Sequence, residues 1–126
     1  TRVPLIIAPA KDMAARFIAN SRCTQPVGLI DLFPTLVELC SLKAPSNLDG
    51  QSLVPLLRNP KKLTGRVLAT TFNPGNISLR TDRWRYLRYA NGEEELYDLK
   101  VDPNEWSNLA KYPPHAKLME RFGRIR

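Results

Sequence analysis

The sequence predicts an α+β chain organised around a small four-stranded antiparallel sheet and closed by a C-terminal helix. Four β-rich runs fall at 67–72, 77–81, 84–89 and 94–99. The segments between them are the turn sequences Asn73-Pro74-Gly75-Asn76, Asp82-Arg83 and Asn91-Gly92. Connections this short join antiparallel neighbours, so a meander is expected. The third turn is the most explicit: Trp84 to Ala90 alternates large side chains with arginines, Asn91-Gly92 offers two positions for positive φ, and Glu93 to Leu99 returns. Pro113-Pro114 then opens a helix whose Leu118, Met119, Phe122 and Ile125 form one apolar stripe, suited to lie across a sheet face.

The N-terminal half reads differently. Val3 to Ala8 is an apolar run without polar alternation, expected as a strand covered on both faces. Gln25 to Ile30 is expected as a shorter second strand, with one helical stretch over Met13 to Ile18 between them. Asp31 reads as the N-cap of a helix carrying Phe33, Leu36, Val37 and Cys40 on one face, with Pro34 in its first turn. Ser52 reads as the cap of a short helix through Arg58, with Pro55 near its start. The polar, basic stretch Asn59 to Gly65 is the expected boundary between the halves.

The chain has 126 residues, 43% hydrophobic and 25% charged, which suits a globular domain. No apolar run approaches the ~20 residues of a membrane-spanning helix. The chain starts at Thr1 within a strand-like run, and is read as a piece of something larger. A net charge of +7 favours anionic partners: nucleic acid, acidic surfaces, or sulfated and phosphorylated small molecules. Cys23 and Cys40 form no Cys-x-x-Cys pair and have no neighbouring histidine. Zinc is therefore not indicated, and Cys40 is expected as a buried free thiol.

Residue clusters that suggest chemistry have plainer structural readings. Arg83, Arg85 and Arg88 alternate with Trp84, Tyr86 and Tyr89 in the manner of a stacking nucleic-acid surface. Strand alternation, however, puts aromatics on both faces, as in a packed central strand covered by arginine stems. Glu93, Glu94 and Glu95 read as hairpin charges that balance those arginines. Asp98 and Asp102 are close enough in sequence to share a cation, but Asp102 before Pro103 is a turn residue first. His115 is expected to be exposed and without a partner.

Four segments carry a resemblance to one family. They are Arg2-Val3-Pro4-Leu5-Ile6, the run Pro26 to Leu36 with its Asp31-Leu32-Phe33-Pro34-Thr35, the run Leu48 to Leu57, and the hairpin from Arg80 to Ala110 ending in Asp102-Pro103-Asn104-Glu105 and Asn108-Leu109-Ala110. In this order and spacing they resemble the C-terminal portion of the sulfatases, in the alkaline-phosphatase superfamily, nearest to bacterial iduronate- and choline-sulfatase-like proteins. The resemblance implies an α/β parent. Residues 1–58 would complete the C-terminal edge of its core, 59–64 would connect, and 65–126 would form the antiparallel subdomain. It also implies sulfuric ester hydrolysis by a formylglycine, made from Cys or Ser in a Cys/Ser-x-Pro/Ala-x-Arg motif, with a bound Ca²⁺ offsetting charge on the sulfate.

Neither cysteine fits that motif: Cys23 is followed by Thr24-Gln25-Pro26, and Cys40 by Ser41-Leu42-Lys43. The family's metal-binding acidic pairs belong upstream of Thr1, so no catalytic or metal residue is assigned here. One binding candidate is Arg80, in Ser78-Leu79-Arg80-Thr81. In the family this segment lies where the subdomain edge faces the cleft, and a guanidinium there suits an anionic substrate. Related sequences often carry His where Ile77 stands, a departure from the pattern. The expected role is structural and cleft-lining, with the N-terminal sulfatase core as partner and a sulfated small molecule or glycan as the parent's substrate. No membrane or nucleic-acid partner is expected. Without the parent core, the strand at Val3 to Ala8 and the face of Phe33, Leu36, Val37 and Cys40 are expected to lie uncovered, with residues 1–58 loosely ordered or buried by self-association and residues 65–126 well ordered. The competing readings are a phosphomonoester or phosphonate hydrolase of the same superfamily, and a basic module binding RNA or sulfated polysaccharide.

Overall fold

A computed structural model describes residues 4–125. The chain divides into two compact units between Leu63 and Thr64.

In the second unit the four strands are β1 (Leu68–Thr71), β2 (Ile77–Arg80), β3 (Trp84–Arg88) and β4 (Glu94–Asp98). They pair antiparallel in sequence order, as the short turns predict. The register sets Ala69, Leu79, Tyr86 and Leu96 in one row across the sheet, with Arg80 opposite Arg85 and Arg85 opposite Tyr97 in the row beside it. Because successive residues alternate faces, the first row builds a core. Ile77, Leu79, Tyr86 and Leu96 are buried there with Phe122 of helix α3 (Ala116–Gly123). Leu118, Met119 and Ile125 pack against the same cluster, so the predicted stripe is the face α3 lays down. A 3₁₀ turn at Pro113–His115 leads into α3.

The β3–β4 turn corrects one detail. Only Gly92 has positive φ, at +87°, and Asn91 does not. Gly92 N–H donates to the Tyr89 carbonyl at 3.0 Å, so the loop is a three-residue one ending in a left-handed glycine rather than a two-residue turn with two such positions. Asn91 instead accepts the Glu93 N–H on its side-chain oxygen at 3.0 Å. Space is open around Gly92, so any penalty for replacing it comes from backbone conformation alone. Gly92→Val is expected to lower stability by ~1 kcal/mol or more. An unshifted denaturant midpoint would show that the turn tolerates a β-branched residue.

The first unit departs further from expectation. Val3 lies outside the described residues, and residues 4–8 form no strand; neither do residues 25–30, where a 3₁₀ turn covers Leu29–Asp31. A strand needs a ladder partner, and Pro4 and Pro26 each remove a donor from these runs. The expected helix over 13–18 is reduced to a 3₁₀ turn at Ala14–Arg16. Helices do form at α1 (Leu32–Leu39) and α2 (Val54–Arg58). The buried side of α1 is Thr35 and Val37, whereas Phe33 and Leu36 are more than half exposed and Cys40 is exposed. The expected buried thiol is therefore wrong, whereas Phe33 and Leu36 leave the apolar face largely open, as expected of a face that a parent core would cover.

The reason lies in Asp31. It is not a side-chain N-cap. Its carboxylate turns away from the helix and accepts the Gly28 N–H at 2.8 Å and the Gln51 N–H at 2.9 Å. One turn on, the Thr35 hydroxyl donates to the Asp31 carbonyl and accepts the Leu53 N–H at 2.9 Å. These bonds rotate the Asp31–Thr35 side of α1 inward, onto the segment 51–53. Ser52 accepts the Val54 N–H at 3.2 Å at the start of α2.

Candidate functional site

The site begins with the face of the sheet opposite α3. Alternation along β2 puts Ile77 and Leu79 into the core, which leaves Ser78 and Arg80 on the other face. Arg85 stands across from Arg80. Both guanidiniums meet one carboxylate: Arg85 Nη1 donates to Glu105 at 2.8 and 3.0 Å, and Arg80 Nη1 lies 3.8 Å from the same group. Glu95 lies on the same face, opposite Leu87 in the register. Thr81 contributes differently, because its hydroxyl accepts the Trp84 N–H at 2.8 Å and the Arg83 N–H at 3.3 Å. It shapes the β2–β3 turn.

Glu105 was visible in the sequence only as part of the Asp102-Pro103-Asn104-Glu105 run, with no role attached. Its backbone has φ of +61°, a left-handed conformation costing ~1–2 kcal/mol for a residue with a Cβ. Neighbouring bonds offset that cost. The Asp102 carboxylate accepts the Ser107 N–H at 2.8 Å. This bond, with further backbone N–H groups of the loop, holds the Asp102 carboxyl below its usual range. Asn108 accepts the N–H groups of Leu96 (3.1 Å) and Ala110 (2.9 Å) and donates to the Glu94 carbonyl at 3.2 Å. The loop after β4 is therefore pinned at both ends, and Glu105 is delivered to the two arginines. The spacing of Asp102, Glu105 and Asn108 was the signal that could have found it.

The other charged groups have structural work, on the α3 side except for Glu95, which shares the face of Arg85 and Tyr97. Arg83 grips Asp98 with Nε (3.0 and 3.1 Å) and Nη2 (2.6 Å). This bond holds the Asp98 carboxyl below its usual range, against the opposing effect of burial. Asp98 is thus committed to arginine and does not share a cation with Asp102. Arg88 donates to the Gly123 carbonyl at 3.0 Å, at the end of α3. Glu94 accepts the Tyr86 hydroxyl, and Glu95 accepts the Tyr97 hydroxyl at 3.0 Å. His115 is neither fully exposed nor alone: it is half-buried, edge-on to Trp84 with centroids 5.4 Å apart.

The cofactors implied by the sequence resemblance do not fit these residues. Both cysteines are free, exposed and outside a formylglycine motif. Among the described residues no three His, Cys, Asp or Glu side chains gather into a metal-holding group. What the arrangement can do chemically is bind anions on the Arg80–Arg85 face. No helix of the described residues is long and apolar enough to cross a membrane.

Comparison with known proteins supplies the family. The family model for the N-sulphoglucosamine sulphohydrolase C-terminal region matches residues 1–124. A sulfatase of Formosa agariphila is 38% identical over 110 residues, covering 87% of this chain and 21% of that protein. A Delta 4,5-hexuronate-2-O-sulfatase of Bacteroides thetaiotaomicron is 34% identical over 129 residues, covering 94% of this chain and 26% of that protein. The solved structure of a 2-O GAG sulfatase superposes with a TM-score of 0.60 at 33% identity, over 74% of this chain and 22% of that one. The chain thus spans about a fifth to a quarter of the relatives it matches, and corresponds to their C-terminal part. It belongs to the N-sulphoglucosamine sulphohydrolase C-terminal family, within the sulfatases of the alkaline-phosphatase superfamily.

Proposed function

We propose that this chain is the part of a sulfuric ester hydrolase that buttresses the catalytic core and presents the Arg80 face to the substrate cleft. The observation that carries this reading is the pair of guanidiniums sharing one carboxylate across β2 and β3. A sulfate or uronate arriving there meets guanidiniums on two neighbouring strands, and a guanidinium binds either anion through paired N–H donors. Glu105 bonds Arg85 and lies within ion-pair distance of Arg80, which helps to set their positions. On this reading the formylglycine and the Ca²⁺ are held by residues outside this chain. The substrate is a sulfated glycan, since the relatives include a hexuronate-2-O-sulfatase and a 2-O GAG sulfatase.

The test is Arg80→Gln in the full-length enzyme that carries this sequence. A hydrogen-bonded charge contact is worth about 1.5–3 kcal/mol. KM for a sulfated, uronate-containing disaccharide is therefore expected to rise about tenfold or more, with kcat changed little. KM for a small aryl sulfate should move much less. An unchanged KM for the disaccharide would remove Arg80 from the cleft and leave it a structural partner of Glu105. Turnover of a phosphonate monoester with sulfate esters untouched would move the enzyme to the other chemistry of its superfamily.

A further inference from the structure

Glu105 holds a backbone conformation that its residue type disfavours. Its φ of +61° lies in the left-handed region, where glycine meets no steric penalty and a residue with a Cβ does. A turn that needed only this geometry would be better served by glycine, and the β3–β4 hairpin is built that way at Gly92, with φ of +87°. The bonds that hold the Glu105 loop do not involve its carboxylate. Asp102 accepts the Ser107 N–H at 2.8 Å, and Asn108 accepts the N–H groups of Leu96 and Ala110. Glu105 itself adds a backbone N–H to the Asp102 carbonyl at 3.2 Å, a bond that glycine would make equally well. The side chain therefore finds its use outside the loop, on the sheet.

Its two arginines are not held alike. Both carboxylate oxygens accept from Arg85 Nη1, at 3.0 and 2.8 Å. Arg80 Nη1 stands 3.8 Å from Oε1, within ion-pair reach but beyond hydrogen-bond length. Arg80 and Arg85 are cross-strand partners in the register, and like charges placed directly opposite repel. A carboxylate shared between them offsets that repulsion. Arg85 thus anchors Glu105, and Glu105 steers Arg80 without a hydrogen bond to this Nη1.

We propose that Glu105 is a positioning residue: anchored on Arg85, it holds the Arg80 guanidinium in place for the substrate anion. This use of the side chain accounts for a non-glycine residue at a left-handed position. The inference rests on the function proposed above, in which Arg80 meets the substrate. A guanidinium that is already ordered loses less rotamer freedom on binding, so affinity gains from the preorganisation. The carboxylate also repels an incoming anion, and the sign of the change in KM on removing it shows which effect is larger.

The test is run in the full-length enzyme that carries this sequence, with the sulfated, uronate-containing disaccharide and the small aryl sulfate. Glu105→Gln keeps the shape of the side chain and removes its charge. KM for the disaccharide is expected to rise about twofold to tenfold, the cost of ordering one long side chain. The aryl sulfate KM should move much less. In an Arg80→Gln background the same substitution should add nothing, because it acts through Arg80. Glu105→Gly removes the carboxylate and the backbone penalty together. It should raise KM for the disaccharide as Glu105→Gln does, while the denaturant midpoint of the 126-residue chain changes little. A disaccharide KM that is unchanged or lower in Glu105→Gln overturns the proposal, and would mean that the carboxylate only offsets charge. An equal rise in the Arg80→Gln background, or an equal rise with the aryl sulfate, overturns it as well. So does a Glu105→Gly chain of clearly lower midpoint, which would make the carboxylate a structural tie. In each of these cases Arg80 keeps its role if Arg80→Gln raises KM. If Arg80→Gln leaves the disaccharide KM unchanged, the function proposed above fails, and the positioning role of Glu105 falls with it.

Discussion

Asp31→Ala is expected to cost about 4 kcal/mol, since two backbone N–H groups each lose a bond to a charged acceptor. The side chain is fully buried, so water does not simply replace it. Gly28 and Gln51 would be left as unsatisfied donors, and the Thr35–Leu53 link would lose the turn that positions it. Gly50 makes the same junction sterically exact-fitting: a Cβ there would sit 2.0 Å from the Ile30 carbonyl oxygen, so Gly50→Ala forces the backbone apart. Both substitutions should unfold the first unit before the second. The readout is hydrogen exchange at the Gln51 and Leu53 amides, whose protection should fall by a factor of ~100 or more. Tryptophan fluorescence should change little, because Trp84 and Trp106 both belong to the other unit. Retained protection at Gln51 would show that the Asp31 carboxylate is replaceable.

This junction shows what the sequence could and could not reveal. Asp31-Leu32-Phe33-Pro34-Thr35 and Leu48-Asp49-Gly50-Gln51-Ser52-Leu53 each resemble a segment of one family. That they hold each other, through Asp31 to Gln51 and Thr35 to Leu53, depends on residues about twenty apart and on side chains that ignore local capping rules. The four strands were legible because their signals are local: alternation, short turns, and prolines confined to the connections. Which side of α1 is buried within this chain was not legible, for the opposite reason. Periodicity assigns Phe33, Leu36 and Cys40 to an apolar side, but the polar clamp at Asp31 and Thr35 decides which side turns inward. Arg80 was picked out by its segment, whereas its partner Glu105 was missed. A loop residue with positive φ reaching back to two strands leaves no periodic trace.

The same contrast between local and nonlocal bonds sets the largest expected effect in the second unit. Tyr86 is the largest fully buried side chain, stacked on Phe122 with centroids 5.5 Å apart, and its hydroxyl donates to Glu94. Tyr86→Ala is expected to cost about 4 kcal/mol, within the range for deleting a buried aromatic ring. It opens a cavity between sheet and α3 and strips Glu94 of its partner. Tyr86→Phe keeps the ring and should cost only about 1.5–3 kcal/mol, the value of one bond to a charged group. The hydroxyl also predicts a pH response. Burial, and then the bond to Glu94, push the Tyr86 phenol up to about 12, above the ~10 of an exposed tyrosine. A raised folded-state value means that the protonated phenol is favoured by folding. Its stabilisation is fully present below the unfolded value and disappears as pH rises through about 12. Tyr97 follows the same direction beside Glu95, also reaching about 12. Stability of the sheet should therefore decline on the alkaline side of ~10, and the decline should be shallower in Tyr86→Phe. Denaturant midpoints read by tryptophan fluorescence at neutral and alkaline pH check both points. A Tyr86→Phe variant with the full alkaline slope of the parent chain would mean that the phenol is not linked to folding, and that the ring alone accounts for its burial.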